Sequence, residues 1–316
     1  MKAIVQDEYG SPDVLKLREV PKPEIGDDDV LLRVHAASVN PADWHIMRGE
    51  PRIMRLGFGF RKPKGPTRGI DVAGTVEAVG KDVKELRPGD EVFGVCDAAF
   101  AEYAVAKENR LGSKPKHITF EQAAAIPVAA HCALQALRNR GKVRPGQRVL
   151  INGASGGVGT FTVQIAKTMG AHVTGVCSSR NVDLVRSLGA DEVIDYTKED
   201  FTRAGERYDF ILDNAGNHSL TDIRRALTRT GTLIPNNGDS GLGPLFRVAL
   251  VSPFVRQKLR PFLSKENKDD LVALKELIEA GEVKPVIDRI YELKDVPEAM
   301  RYLEEGHVRG KVVITV

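Results

Sequence analysis

The chain has 316 residues, enough for two domains that each hold a core of their own. Its 42% apolar and 28% charged residues are ordinary for a globular protein, and a formal charge of +3 with no long block of one sign argues against nucleic acid as a partner. No apolar run approaches the roughly 18 residues of a membrane helix, and three scattered cysteines (Cys96, Cys132, Cys177) exclude a disulfide framework or a multi-cysteine zinc site.

In chain order, residues 1–122 read as short strands broken by Pro and Gly, a β-rich domain. The opening, MKAIVQDEYG, lacks the apolar core of a signal peptide and goes straight into a strand pattern, so a reduced, cytoplasmic chain is expected. Lys2–Gln6, Val30–Ala36, Val72–Val79 and Glu91–Val95 are the clearest strands, with Pro88-Gly89-Asp90 as a turn. Ser38 to His45 leaves a strand into a Pro-initiated turn holding Asn40, Asp43, Trp44 and His45, and Gly69–Gly74 sets Asp71 among small residues. Arg61–Arg68 (RKPKGPTR) is basic and reads as a solvated loop, with attraction of anionic substrates as the other possibility.

Near residue 122 the pattern changes. Phe120–Leu137 is helix-like and ends before Arg144-Pro145-Gly146. From there strands and helices alternate: Val149–Ile151, Val173–Cys177, Glu192–Ile194, Phe210–Leu212 and Thr232–Ile234, with Val255–Leu263 as a possible last strand. That alternation predicts an α/β fold with a doubly wound parallel sheet over residues 123–264.

The most informative stretch is VLINGASGGVG, Val149–Gly159. An apolar strand runs into Gly153-x-x-Gly156-x-x-Gly159, and Phe161, Ile165 and Met169 then recur at helical spacing. Such a turn lets backbone approach a pyrophosphate, and the helix N-terminus favours negative charge, so Ser155, Gly156, Gly157 and Val158 are expected to bind a dinucleotide. About 20 residues on, an NAD enzyme usually carries an acid for the ribose 2′-OH. Here the second strand ends in Ser178-Ser179-Arg180 with no acid, which favours the 2′-phosphate of NADPH, although both serines could also cap the next helix. Asn214 and Asn236-Asn237-Gly238 end the fourth and fifth strands at the carboxyl edge where such sheets bind ligands, and they equally suit plain turns.

The last stretch, 265–316, leaves this alternation. Lys268–Ala280 is an amphipathic helix, Val286–Leu293 a strand, Pro297–Glu305 a helix, and Gly310–Ile314 a final strand.

The motifs VNPADW, GIDVAG, VGKDVKELRPGDEVFG, FAEYAV and GASGGVG, in this order, resemble the medium-chain dehydrogenase/reductase superfamily, and within it the zinc-free quinone oxidoreductase branch. The resemblance runs essentially end to end. It implies a GroES-like catalytic domain (1–122), a Rossmann domain (123–264), and a return of 265–316 to the first domain. It also implies a cleft in which NADPH reduces a quinone or an α,β-unsaturated carbonyl, and a homodimer. Tyr196 is implied as a second contact near the adenosine phosphate, and Lys311 as reaching the nicotinamide end. An edge-covering tyrosine and a solvated lysine are the plain alternatives. At the positions of the zinc ligands of related alcohol dehydrogenases this chain has Asn40, Ile70 and about Val128, which do not make a zinc site, so no metal is expected.

The expected reaction is direct hydride transfer from NADPH, with the protein positioning the reacting atoms and excluding water. Asn40 is the first candidate to orient nicotinamide or carbonyl, or else it holds the Pro41 turn. Asp71 is expected to brace rather than transfer protons, and Trp44, Met47 and Met54 are candidate walls. No proton donor stands out. The rival reading is an NADPH-binding sensor or RNA-binding protein with little turnover; the 6% aromatic content and the absence of an RNA-binding motif argue against it.

Overall fold

In the strand Asp29–Val39 Arg33 is exposed between buried Leu32 and Val34, whereas Val30 to Leu32 and Ala36 to Val39 are buried in unbroken runs, as in a strand covered on both faces. The computed structural model describes residues 1–65, 67–236, 248 and 250–316. The chain divides into two units, Met1–Val128 with Glu266–Glu279 and Pro285–Val316, and Ala129–Lys265 with Ala280–Lys284.

The N-terminal part of the first unit supplies the strands β1 (Lys2–Gln6), β2 (Leu15–Glu19), β3 (Asp29–Val39), β4 (Asp71–Val79), β5 (Glu91–Val95), β6 (Tyr103–Lys107) and β7 (Leu111–Ser113). β3 pairs antiparallel with β4, in a register that sets Ser38 opposite Asp71. The core includes Ile4, Val30, Leu32, Val72, Val92, Phe100 and Leu111. The stretch after Asn40 is a helix, Pro41–Arg48, rather than only a turn. Proline suits a first helical position because the missing N–H would have no partner there anyway. Met47 from this helix lies wholly in the core, and Trp44 donates its indole N–H to Glu304 at 2.6 Å.

The expected long helix from Phe120 is broken into Phe120–Ala124 and Pro127–Gln135, with a wider turn over Ala136–Gly141. Pro127 lacks the donor and the room that a continuous helix requires.

In the second unit, β8 (Arg148–Asn152), β9 (His172–Cys177), β10 (Glu192–Asp195), β11 (Tyr208–Asp213), β12 (Leu227–Pro235) and β13 (Lys258–Leu259) form, among the described residues, a sheet in the order β10-β9-β8-β11-β12-β13. Every pairing in it is parallel. Val149, Leu150 and Ile151 at its centre have no exposed surface, which is why that strand reads as an unbroken apolar run. The last strand is shorter than Val255–Leu263, since Pro253 and Pro261 flank it and cannot donate to a ladder.

The closing segment contributes the helix Lys268–Glu279, β14 (Ile287–Glu292), the helix Val296–Glu304 and β15 (Lys311–Thr315) to the first unit. β15 runs antiparallel to β3 with Val312 opposite Val39, so Lys311 lies beside the chain leaving β3 at Asn40.

Candidate functional site

Two groups of polar side chains stand out, one in each unit. In the second, Gly153 takes a left-handed conformation (φ 78°), which lets the chain leave β8 and enter the helix Gly157–Thr168. The N–H groups of Gly153 and Ala154 both donate to the Val176 carbonyl, at 3.1 and 3.0 Å, tying the turn to β9. Gly156 is the helix N-cap and brings no side chain to cap it. A Cβ on Gly159 would meet the Gly153 carbonyl at 2.1 Å, so helix and turn touch backbone to backbone. Among the described residues no side chain caps the first turn of this helix, the arrangement that receives a phosphate.

Ser155 in this turn accepts a hydrogen bond from Asn181 Nδ2 at 2.9 Å, and the same amide reaches Ser178 Oγ at 3.4 Å. Asn181, buried and given no role by the sequence pattern, thus ties the glycine turn to the end of β9. Ser179 and Arg180 are exposed there, and Tyr196 beyond β10 is 53% exposed. Ser179 is not alone. Asp195 lies opposite Cys177 in the β10–β9 register, and its Oδ2 accepts the Ser179 hydroxyl at 2.5 Å.

At the end of β11, Asn214 belongs to a short chain of polar groups. The Cys132 thiol donates to Asn236 Oδ1 at 3.2 Å, and Asn236 Nδ2 donates to Asn214 Oδ1 at 2.7 Å. Burial pushes the Cys132 thiol up to about 12, so it stays a protonated donor. The amide of Asn214 is thereby oriented, and its Nδ2 is buried with no hydrogen-bond partner among the described residues. A buried donor without an acceptor is costly, which marks a place for a ligand's carbonyl or phosphate oxygen. Asn152 donates to Asp213 at 2.8 Å and to Asn217 at 2.9 Å beside it. Asn237 and Gly238, also expected at the cofactor, lie outside the described residues. The glycine turn, the exposed Ser179-Arg180 tip and the orphaned Asn214 donor all suit a dinucleotide.

In the first unit the register of three strands gathers Ser38, Asn40, Asp71 and Lys311. Asp71 Oδ2 accepts from Ser38 Oγ at 2.7 Å, Asn40 Nδ2 at 2.9 Å and Lys311 Nζ at 3.2 Å. Its Oδ1 accepts the Val128 backbone N–H at 2.9 Å. Lys311 also donates to Asn40 Oδ1 at 2.5 Å and the Val39 carbonyl at 3.2 Å, and is only 3% exposed. It is therefore not a solvated surface charge, because Asp71 compensates its burial. Asn40 has one amide hydrogen firmly bound, and the other makes only a 3.4 Å contact with the Ser38 carbonyl. Asp43 accepts the Asn40 backbone N–H at 2.9 Å; burial, reinforced by the nearby Asp71 charge, raises its pKa to about 7.

The basic loop is mixed in character. Arg61, Lys62 and Lys64 are exposed, but Arg68 is buried and donates to Gln6 Oε1 at 2.7 Å. Among the described residues, no three His, Cys, Asp or Glu side chains converge as metal ligands.

A parallel sheet with a glycine turn at its carboxyl edge, joined in one chain to a β-rich unit, is the architecture of a two-part dinucleotide-dependent dehydrogenase. Comparison with known proteins narrows this. Residues 26–116 match the alcohol dehydrogenase GroES-like domain, and 188–314 match a domain described as zinc-binding dehydrogenase. The chain is 36% identical to mouse (Mus musculus) mitochondrial NAD(P)H oxidoreductase RTN4IP1, over 100% of this chain and 89% of that protein. It is 36% identical to the chloroplastic NADPH-dependent alkenal/one oxidoreductase of Arabidopsis thaliana, over 99% of this chain and 79% of that one. The solved quinone oxidoreductase of Coxiella burnetii superposes with a TM-score of 0.90 at 34% identity, covering 100% of this chain and 99% of that one. The chain belongs to the medium-chain dehydrogenase/reductase superfamily, in its quinone oxidoreductase branch.

Proposed function

We propose that this chain is an NADPH-dependent, zinc-independent oxidoreductase that reduces a quinone or an α,β-unsaturated carbonyl. The observation that carries the cofactor half is the orphaned Asn214 Nδ2 at the same sheet edge as the uncapped glycine turn. The substrate half is supported by the names of the Coxiella and Arabidopsis relatives, a quinone oxidoreductase and an alkenal/one oxidoreductase.

When bound, a reduced nicotinamide supplies the hydride; the rest is positioning. Ser155, Gly156, Gly157 and Val158 would hold the pyrophosphate through backbone N–H groups and the helix dipole. Ser178, Arg180 and Tyr196 would meet the adenosine ribose and its phosphate. Asn214 would donate to an acceptor further along, with Asn237 and Gly238 as further candidates.

Asn40 is proposed to orient a carbonyl with its loosely held amide hydrogen. Lys311 and Asp71 fix that amide from both ends, so its donor points one way. In this reading Lys311 serves the nicotinamide end through Asn40, since its own contacts are to Val39, Asn40 and Asp71.

Zinc independence rests on donor chemistry. Isoleucine and valine offer no side-chain ligand at positions 70 and 128, and the Asn40 amide oxygen already accepts from Lys311. The test is a panel of quinones, 2-alkenals and cyclic enones, each with NADPH and NADH, with and without a chelator. Turnover of either class that persists with chelator supports the reading. Nucleotide binding with no reduction of either class would favour the sensor or RNA-binding alternative. A cytoplasmic, homodimeric enzyme belongs to the same proposal, and sedimentation and cell fractionation test those two points. Among the described residues no helix is long and apolar enough to cross a membrane.

A further inference from the structure

The second strand of the nucleotide-binding sheet ends without an acid, yet an acid stands at its tip. Asp195, the last residue of β10, is carried there by the parallel pairing that sets it opposite Cys177. Its Oδ2 accepts the Ser179 hydroxyl at 2.5 Å, and its Oδ1 accepts the Thr197 hydroxyl at 2.7 Å and the Thr197 backbone N–H at 3.0 Å. Ser179 Oγ and Thr197 Oγ1 face each other at 3.0 Å. The hydroxyl bonds from Ser179 and then Thr197 hold the Asp195 carboxyl well below the usual carboxylate range, so it is ionised at neutral pH. Lys198 approaches Oδ2 at 3.1 Å, but its side chain is 74% exposed, and a surface partner of this kind is largely screened.

A hydroxyl has one proton. With that proton on Asp195, Ser179 offers an incoming group only lone pairs. Lone pairs suit the 2′-OH of NADH, which can donate, and repel the 2′-phosphate of NADPH, which is all acceptor. The favourable contacts to a phosphate then fall to Ser178, Arg180 and Tyr196, while Ser179 and Asp195 oppose them.

We infer that Asp195 is a specificity-determining residue: lent by the neighbouring strand, it supplies the carboxylate that the second strand lacks and draws the preference for NADPH back toward NADH. The inference rests on the reading that a reduced nicotinamide dinucleotide binds along this sheet edge. It separates two neighbouring serines that are indistinguishable in sequence.

The test is the dissociation constant of NADPH and of NADH, from nucleotide fluorescence, for the full chain and for Asp195→Asn and Ser179→Ala. Asparagine keeps an acceptor for Thr197, removes the charge, and can donate to Ser179, which frees the serine proton. Asp195→Asn is expected to raise the NADH-to-NADPH ratio of dissociation constants roughly tenfold, the scale of one charge-assisted bond gained and one like charge removed, with NADH itself little changed. Ser179→Ala is expected to leave NADPH binding within about twofold. An unmoved or inverted ratio in Asp195→Asn overturns the inference, because a merely turn-closing aspartate would weaken both nucleotides alike. If Asp195→Asn does not fold, a tenfold loss of NADPH affinity in Ser179→Ala overturns it instead. Failure of the wild-type chain to bind either nucleotide removes the underlying reading as well, and is distinct from binding with an unmoved ratio.

Discussion

Lys311 Nζ lies 3.2 Å from Asp71 Oδ2, and the two side chains are 4% and 0% exposed. The residues are 240 apart in sequence and meet because β15 and β4 both pair with β3. A buried ion pair is costly to break from one side, since the survivor keeps its desolvation penalty. Lys311→Met is expected to destabilise the first unit by roughly 3–5 kcal/mol. The measurement is thermal unfolding, where a fall of several degrees is expected in the transition of that unit. If the midpoint is unmoved, the remaining donors to Asp71 from Ser38, Asn40 and Val128 suffice.

Asp43 makes stability depend on pH. Its folded pKa of about 7 lies above the usual 3.8, so between those values the folded state binds a proton that the unfolded state has released. Stability contributed by this group is therefore present at low pH and is lost as pH rises from about 4 to about 7, by on the order of a few kcal/mol. Asp43→Asn keeps an acceptor for the Asn40 N–H and removes the titration. Urea denaturation from pH 4 to 8 should show a flatter profile for this variant than for wild type; parallel profiles would refute the assignment.

Asn214→Asp replaces the orphaned amide donor with an acceptor while keeping an oxygen for Asn236 Nδ2. Both NADPH and NADH should bind roughly tenfold or more weakly, since Asn214 is assigned to a part common to both. A loss confined to one nucleotide would contradict that position.

Arg180→Ala should weaken NADPH by about tenfold or more and NADH little, because a guanidinium bonds a phosphate far better than a hydroxyl. The ratio of kcat/KM for the two cofactors reads this directly. An unchanged ratio removes Arg180 from the phosphate site.

Gly159→Ala places a methyl group 2.1 Å from the Gly153 carbonyl. Turn and helix must separate, so affinity for both nucleotides and thermal stability should fall together. Wild-type binding by this variant would show that the turn has slack that the backbone contact denies.

Much of this was legible before folding was considered. The buried strand Val149–Ile151, the glycine spacing after it and the alternation that follows report local requirements: burial on both faces, backbone room, and helical periodicity. The break in the helix at Pro127 was also visible in principle, since proline acts on its own helix. Asn40 and Asp43 stand at helix positions N-cap and N3, a spacing that predicts their backbone bond. Their shared buried environment was not legible, because it depends on strands remote in the chain.

By itself, then, the sequence determined the family, the glycine turn after β8 and the empty acid position at the end of β9, all set by residues close together in the chain. Only the tertiary structure decided that Lys311 is buried on Asp71 and Asn40 rather than solvated, that Arg68 leaves its basic loop for Gln6, and that Asp195 returns a carboxylate to Ser179. The reason is the same in each case. Strand order and register choose which distant side chain shares a small, poorly hydrated space, and there charge and hydrogen bonding act most strongly.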